Sequence, residues 1–156
     1  MESSVENFKS RIFECNDFET LTLDIFRFQA QRNNVYSRFL DLLSVNADDV
    51  KSIAQIPFLP VEVFKTNDVV TGNFVPEAIF KSSGTSGSTT KSHHIVKSLD
   101  WYHKVSQRIF EDQFGSLNVT RWFGLLPGYL ERGDSSLVEM TNHFMSASES
   151  DKNFFL

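Results

Sequence analysis

The chain has 156 residues, which suits one domain or one lobe of a larger protein, and its 40% hydrophobic and 22% charged residues are ordinary for a soluble globular protein. The net charge of −5 argues against a nucleic-acid-binding protein, and a single cysteine, Cys15, excludes an internal disulfide and a multi-cysteine metal site. The N-terminus lacks the pattern of a signal peptide and no apolar run approaches the roughly 18 residues that span a bilayer, so we expect a cytoplasmic protein without a membrane span.

Residues 1–55 are predicted to form a helical N-terminal region. Asp17 is placed to cap a helix that ends at Asn33–Asn34, where two consecutive asparagines favour a stop. A capping-box spacing of Ser3 and Glu6 predicts an earlier helix, and a third helix follows the asparagines. The apolar face of the third helix is expected to consist of Val35, Phe39 and Leu42 or Leu43.

Residues 56–156 are predicted to form a partial α/β lobe, with α+β as the alternative class. The two regions are expected to make one structural unit without a clear linker. The run Ile-Pro-Phe-Leu-Pro at 56–60 is expected to be a buried connection, because Phe58 and Leu59 are large and apolar. A mixed β-sheet with flanking helices should follow. Its elements are a helical turn at 61–65, strands at 69–70, 78–81, 94–96 and 121–126, a helix capped by Asp100, and a helix opened by a capping box of Ser136 and Glu139.

The loop from Ser82 to Lys91 reads Ser-Ser-Gly-Thr-Ser-Gly-Ser-Thr-Thr-Lys and contains no hydrophobic residue. Gly84 and Gly87 allow the backbone to approach a ligand closely, and successive amides in such a turn form a concave anion site. The hydroxyl groups add donors, and Lys91 supplies a charge that phosphate oxygens accept strongly. The candidate phosphate-binding residues are Ser82, Ser83, Gly84, Thr85, Ser86, Gly87, Ser88, Thr90 and Lys91.

A flexible surface linker is the alternative interpretation of this loop, since Gly/Ser-rich stretches are commonly linkers. Its short length, its apolar flanks and the basic residues around it favour a binding loop. It is not a Walker A loop, because Gly84 and Gly87 lack the four-residue gap and the Gly-Lys pair that follows it.

The same loop resembles the phosphate-binding signature of adenylate-forming enzymes. The resemblance is closest to the acyl-protein synthetase branch, the fatty-acid-activating component of bacterial luminescence systems, where the loop also follows a Phe-Lys pair such as Phe80–Lys81. Two further segments, 56–65 and 126–138, are similar to that branch and occur in the same order and spacing. The sequence departs from the general signature at Thr89, where proline is usual, and at Thr90, where lysine is usual; Lys91 stands one position later.

The resemblance implies the N-terminal half of an enzyme that activates a carboxylic acid, a fatty acid in that branch, as an acyl-adenylate and then transfers the acyl group to a thiol. It implies ATP and Mg²⁺ as cofactors, and a small-molecule carboxylic acid with an acyl-acceptor protein or a missing C-terminal half as partners. The family's later catalytic motifs do not occur in these residues, so no catalytic residue is assigned. The alternatives are a truncated nucleotide-binding fragment, a subunit of a split enzyme and a protein-interaction domain.

Three residues outside the loop are weaker candidates for a substrate or structural role. His94 adjoins the loop, and an exposed or hydrogen-bonded histidine is the alternative there. Tyr129 and Arg132 belong to a polar loop after a predicted strand, a position where α/β proteins often bind ligands. Arg132 is suited to pair with a substrate carboxylate or, equally, with Glu131 or Asp134.

Overall fold

A computed structural model describes residues 2–82, 91–125, 133–148 and 153–155 of the chain. It divides into two compact units, Met1–Asn73 (unit 1) and Phe74–Leu156 (unit 2), which are described separately. Helices and small sheets together make a mixed architecture, compatible with α/β and with α+β. None of the described helices is both long enough and apolar enough to cross a bilayer.

Unit 1 is formed by three α-helices followed by three short 3-10 helices. Asp17 caps the second α-helix as predicted, with its Oδ1 accepting a hydrogen bond from the Thr20 amide at 3.0 Å. Asn33 ends that helix and also caps the next one, because its side chain accepts from the Tyr36 amide. The helices are α1 (Glu2–Glu14), α2 (Phe18–Arg32) and α3 (Asn34–Leu42), and the 3-10 helices cover Ala47–Asp49, Ile53–Gln55 and Val61–Lys65.

The core of unit 1 differs from the predicted apolar face of α3. Tyr36 and Leu40 are the buried residues of this helix, whereas Leu42 is 84% exposed. Leu42 lies two residues beyond Leu40, which is about 200° round the helix, so the two side chains cannot face α2 together. The buried cluster consists of Leu23, Phe26, Ala30, Tyr36, Leu40, Val50 and Ile56.

The connection at 56–60 is only partly buried, and the prediction for Phe58 was wrong. Ile56 is buried and Leu59 half-buried, but Phe58 is 76% exposed. Ile56 and Pro60 have backbone angles close to those of polyproline II, which has three residues per turn. Residues three apart therefore share a side, so Ile56 and Leu59 reach the core together while Phe58 points elsewhere.

Val69–Val70 does not form the predicted strand. The backbone just beyond it bonds to α2 instead: the Gly72 amide donates to the carbonyl oxygen of Arg32 at 3.2 Å, and the Thr71 hydroxyl donates to Gln29 Oε1. Gly72 adopts a φ of 75°, which glycine reaches without strain. Thr71 and Gly72 therefore form their hydrogen bonds with the C-terminal end of α2 rather than with a strand.

A hydrogen bond from the Tyr36 hydroxyl to the carbonyl oxygen of Pro57, 2.6 Å long, ties α3 to the proline-rich connection. We expect Tyr36→Phe to lower the free energy of unfolding of unit 1 by about 1 kcal/mol, because it removes one hydrogen bond and leaves a carbonyl group without its partner. Urea unfolding followed by far-UV circular dichroism measures this loss. An unchanged midpoint would mean that water replaces the tyrosine hydroxyl without cost.

The described residues of unit 2 contain two α-helices, a 3-10 helix and two pairs of short strands. β1 (Ala78–Lys81) and β2 (His93–Val96) are antiparallel, with Ala78 opposite Val96 and Lys81 opposite His93. β3 (Phe123–Gly124) and β4 (Phe154–Phe155) are parallel, and β3 is shorter than the strand predicted at 121–126. The elements are β1 (Ala78–Lys81), β2 (His93–Val96), α4 (Leu99–Phe114), a 3-10 helix at Leu117–Val119, β3 (Phe123–Gly124), α5 (Ser136–Ala147) and β4 (Phe154–Phe155).

Both helices of unit 2 are capped one or two residues earlier than predicted. Ser98, not Asp100, caps α4 by accepting from the Trp101 amide, and Asp100 lies in the first turn, where a negative charge is favourable. Ser135, not Ser136, caps α5. Glu139 therefore does not form the predicted capping box with Ser136, and its carboxylate contacts His103 on α4.

An aromatic cluster forms the core of unit 2. Phe144 of α5 is 1% exposed, and its ring centroid lies 5.3 Å from those of Phe110 and Trp122. Phe110 and Trp122 are themselves 5.0 Å apart. Leu117 is completely buried in the same unit. These contacts pack α4, α5 and the segment that enters β3 around one apolar centre.

Candidate functional site

The candidate phosphate-binding loop joins the two strands of a β-hairpin. The Ser82 amide donates to the Ser92 carbonyl oxygen, and the Ser92 amide donates to Ser82 Oγ, both at 3.1 Å. The predicted order of strand, glycine-rich segment and return strand is therefore confirmed. Residues 83–90 lie outside the described residues, and the contacts predicted for Ser83, Gly84, Thr85, Ser86, Gly87, Ser88 and Thr90 stay predictions.

The base of this hairpin is anchored in unit 2. Phe80 is 4% exposed, and its ring centroid is 5.3 Å from that of Tyr102 on α4. Ser92 is also buried. Lys91, two residues before β2, and His94, on β2, are both exposed, so neither is part of the core. The hairpin thus combines a fixed apolar base with polar and basic groups at its exposed end.

Asp134 is held against the residue that precedes the loop. The Lys81 amide donates to the Asp134 carbonyl oxygen at 2.8 Å, and Lys81 Nζ lies 3.5 Å from Asp134 Oδ2. The Tyr102 hydroxyl donates to the Ser136 carbonyl oxygen at 2.8 Å, which fixes the start of α5 to α4. Asp134 belongs to the family-like segment 126–138, and Lys81 directly precedes the family-like loop 82–91. The hydrogen bond between them therefore brings these two segments into contact.

Tyr129 and Arg132 lie outside the described residues, and their predicted roles stay predictions. Asp134, named as one of the two alternative partners of Arg132, forms its ion pair with Lys81. Both side chains of that pair are about two-fifths exposed, at 42% and 41%. An ion pair this exposed contributes little to stability. The backbone hydrogen bond between Lys81 and Asp134 is therefore the stronger tie between the two segments.

The third family-like segment, 56–65, lines an apolar groove in unit 1. The groove has a cavity volume of about 430 Å³. Ile56, Phe58, Leu59 and Phe64 contribute its apolar lining, together with Phe26 of α2 and other residues. A cavity of this size and lining falls in the range of ordinary small-molecule sites.

Sequence reasoning did not identify a polar cluster between α4 and α5. His103 Nε2 lies 2.9 Å from Glu139 Oε1, and the His103 and His143 rings stack with centroids 4.2 Å apart and an interplanar angle of 1°. Burial and the neighbouring His103 lower the pKa of His143, and Glu139 partly opposes this effect. The signal was present in the sequence: His103 and Gln107, like Glu139 and His143, are four residues apart and share a helix face.

No group of three or more His, Cys, Asp or Glu side chains within the described ranges is arranged to hold a metal ion. The described flanks of the loop offer hydroxyl, amide and ammonium groups, which suit phosphate oxygens rather than a bare cation.

Comparisons of the chain with protein-family models, with curated proteins and with solved structures gave no match.

Proposed function

We propose that the 82–91 loop binds the phosphates of ATP, and that the chain takes part in activating a carboxylic acid as an acyl-adenylate with onward transfer of the acyl group to a thiol. The observation that carries the proposal is the reciprocal pair of hydrogen bonds between Ser82 and Ser92. A Gly/Ser/Thr segment whose flanking residues are joined by two hydrogen bonds, each 3.1 Å long, differs from a free linker, whose ends are unconstrained. It can present consecutive amides to one anion.

The chemistry requires stabilisation of negative charge on phosphate oxygens. The substrate carboxylate attacks the α-phosphorus of ATP, an acyl–phosphate bond forms, and pyrophosphate leaves with the electrons of the broken bond. In this proposal amides and hydroxyls of Ser83, Gly84, Thr85 and Ser88 donate to the β- and γ-phosphates, and Lys91 provides positive charge. Mg²⁺ bound to the nucleotide would offset further charge on the same oxygens.

The charge distribution around the hairpin suits an anionic ligand. From Lys81 to Arg108 the sequence carries five basic residues and one acidic residue, although the whole chain has a net charge of −5. A local positive field on an acidic protein attracts small anions without promoting general binding to nucleic acids. Lys91, at the exposed end of the hairpin, belongs to this basic stretch.

The contact between Lys81 and Asp134 joins two of the segments that resemble the family. The resemblance of either segment does not by itself require the two to be neighbours. The backbone hydrogen bond of 2.8 Å between them joins the two segments beside the hairpin base. Two segments that act on one substrate must meet in this way, so the contact favours a shared site.

Isothermal titration calorimetry with Mg-ATP, Mg-ADP and Mg-AMP tests the binding step. Because the loop is proposed to hold the β- and γ-phosphates, affinity should fall in the order ATP, ADP, AMP. The absence of any heat with Mg-ATP, from a protein with a cooperative unfolding transition, would contradict the proposal.

Pyrophosphate release tests the activation step separately. We expect release from ATP that depends on an added carboxylic acid, with straight-chain fatty acids of increasing length as the first series. Binding of ATP without acid-dependent release would assign the chain the role of a nucleotide-binding subunit and would remove the catalytic part of the proposal.

A further inference from the structure

The polar cluster between α4 and α5 is a continuous chain of hydrogen bonds with a histidine stack at its centre. Gln107 Nε2 donates to Glu111 Oε1 at 3.2 Å, which turns the Gln107 carbonyl oxygen toward His143 Nε2, 3.3 Å away. A carbonyl oxygen only accepts, so Nε2 of His143 carries the hydrogen. On the other side of the stack, His103 Nε2 donates to the Glu139 carboxylate at 2.9 Å.

In this arrangement both rings can be neutral, but positive charges on both rings at the same time are unfavourable. Each ring uses its Nε2 hydrogen for a hydrogen bond, so a further proton must go to Nδ1 and would make that ring a cation. Two such cations would stack with centroids 4.2 Å apart. At that distance the repulsion of like charges in a partly buried site is strong compared with thermal energy.

The acidic groups around the stack offset only part of the cost of a proton on His143. Glu139 on α5 and Asp100 on α4 are the acidic groups whose charge favours a proton on His143, and His103 opposes it. Glu111 lies at the far end of the network, beyond Gln107. Tyr102, next to His103, is uncharged at neutral pH, since burial and Glu139 raise its pKa above the ordinary value.

We propose that the stacked His103–His143 pair is a pH-sensitive joint between α4 and α5, closed while His143 is neutral and opened when His143 carries a proton. The joint contributes a stacked contact and two hydrogen bonds to the packing of the helices, and a proton on His143 disturbs the stack by placing a positive charge in a partly buried position against His103. Opening it weakens the attachment of α5, whose first residues are held by Tyr102 of α4.

The direction of the pH effect follows from the lowered pKa of His143. In the unfolded chain this histidine takes up its proton near its ordinary value of 6.5, whereas the folded protein resists the proton until the pH is lower. The unfolded state therefore binds more protons between these two values, and stability falls as the pH drops below 6.5. The contribution of the neutral ring is fully present above that pH.

Urea unfolding of the full chain at a series of pH values from 7.5 down to 5, roughly spanning the ordinary titration of histidine, measures the effect. Tryptophan fluorescence reports unit 2 alone, because both tryptophans, Trp101 and Trp122, lie in it. The unfolding equilibrium constant of the parent should rise by up to about tenfold per pH unit more than that of His143→Gln, which keeps a donor for Gln107 but cannot be protonated. His93→Gln, at an exposed position on β2, is the matched control and should behave like the parent.

Proton NMR titration of the histidine ring signals is the second measurement, and it does not depend on any variant of His143 folding. The His143 midpoint should lie below the ordinary histidine value of 6.5, and His103→Gln should move it upward, since it removes the opposing neighbour. A His143 midpoint at or above 6.5, or the same pH dependence of unfolding in His143→Gln and the parent, would overturn the proposal.

Discussion

Replacement of Gly84 and Gly87 together by valine is expected to weaken Mg-ATP binding by at least about tenfold, which corresponds to about 1.4 kcal/mol. Valine is branched at Cβ and cannot adopt positive φ without a large steric cost, whereas a loop that turns its amides toward an anion requires such angles. Its methyl groups would also occupy the space where phosphate oxygens approach the backbone. Calorimetry of the parent and the double variant, at equal salt concentration, measures the change.

The control for this experiment must add a branched side chain outside the loop. Asn118→Val does so at an exposed position of the 3-10 helix of unit 2 and should bind Mg-ATP like the parent. The variant with alanine at both glycines should fall between the parent and the valine variant, because alanine has a smaller side chain but still disfavours positive φ. Parent-like affinity in the valine variant would show that the nucleotide binds elsewhere.

Local signals in the sequence predicted the boundaries of several elements. Asp17 and Asn33 carry short side chains that accept hydrogen bonds from amides two or three residues ahead, so their capping role depends only on near neighbours. The strand Ala78–Lys81 was predicted with its observed limits, because a polar glycine-rich loop follows it directly. The hairpin that places the candidate loop was therefore visible before any tertiary information.

Burial was harder to predict, because it depends on which face of an element meets the rest of the chain. Leu42 and Phe58 are as apolar as their buried neighbours Leu40 and Ile56, yet they are 84% and 76% exposed. The position of Leu42 around the axis of α3, and the position of Phe58 within the 56–60 connection, decide that these side chains are exposed. Amino-acid composition gives no information on either position.

The polar cluster of unit 2 was missed for a different reason. Glu139 has the spacing of a capping-box residue relative to Ser136, and this local interpretation hid its contact with His103 on another helix. The true cap, Ser135, lies one residue earlier and leaves the Glu139 carboxylate available. A contact between residues 36 positions apart is set by helix packing, which sequence spacing alone does not determine.

Phe144→Ala is expected to lower the free energy of unfolding of unit 2 by about 3–5 kcal/mol, the largest effect on stability that we predict. Phe144 is 1% exposed, and its ring packs on Phe110 and Trp122 with centroid distances of 5.3 Å. Truncation removes apolar contacts from three elements at once and leaves a cavity that the rigid neighbouring rings cannot fill. Urea unfolding followed by the fluorescence of Trp122 and Trp101 measures the loss directly in this unit.

Phe114→Ala is the matched control, because it removes the same ring from a position that is 75% exposed. Phe114 contacts Phe110 with a centroid distance of 5.0 Å, so we expect a loss of no more than about 1 kcal/mol. The difference between the two variants isolates the effect of burial from that of losing one aromatic contact. If Phe144→Ala lowered the free energy of unfolding no more than Phe114→Ala does, the aromatic cluster would not be the core that holds α4 and α5 together. Other contacts between the two helices would then have to hold the His103–His143 stack in place.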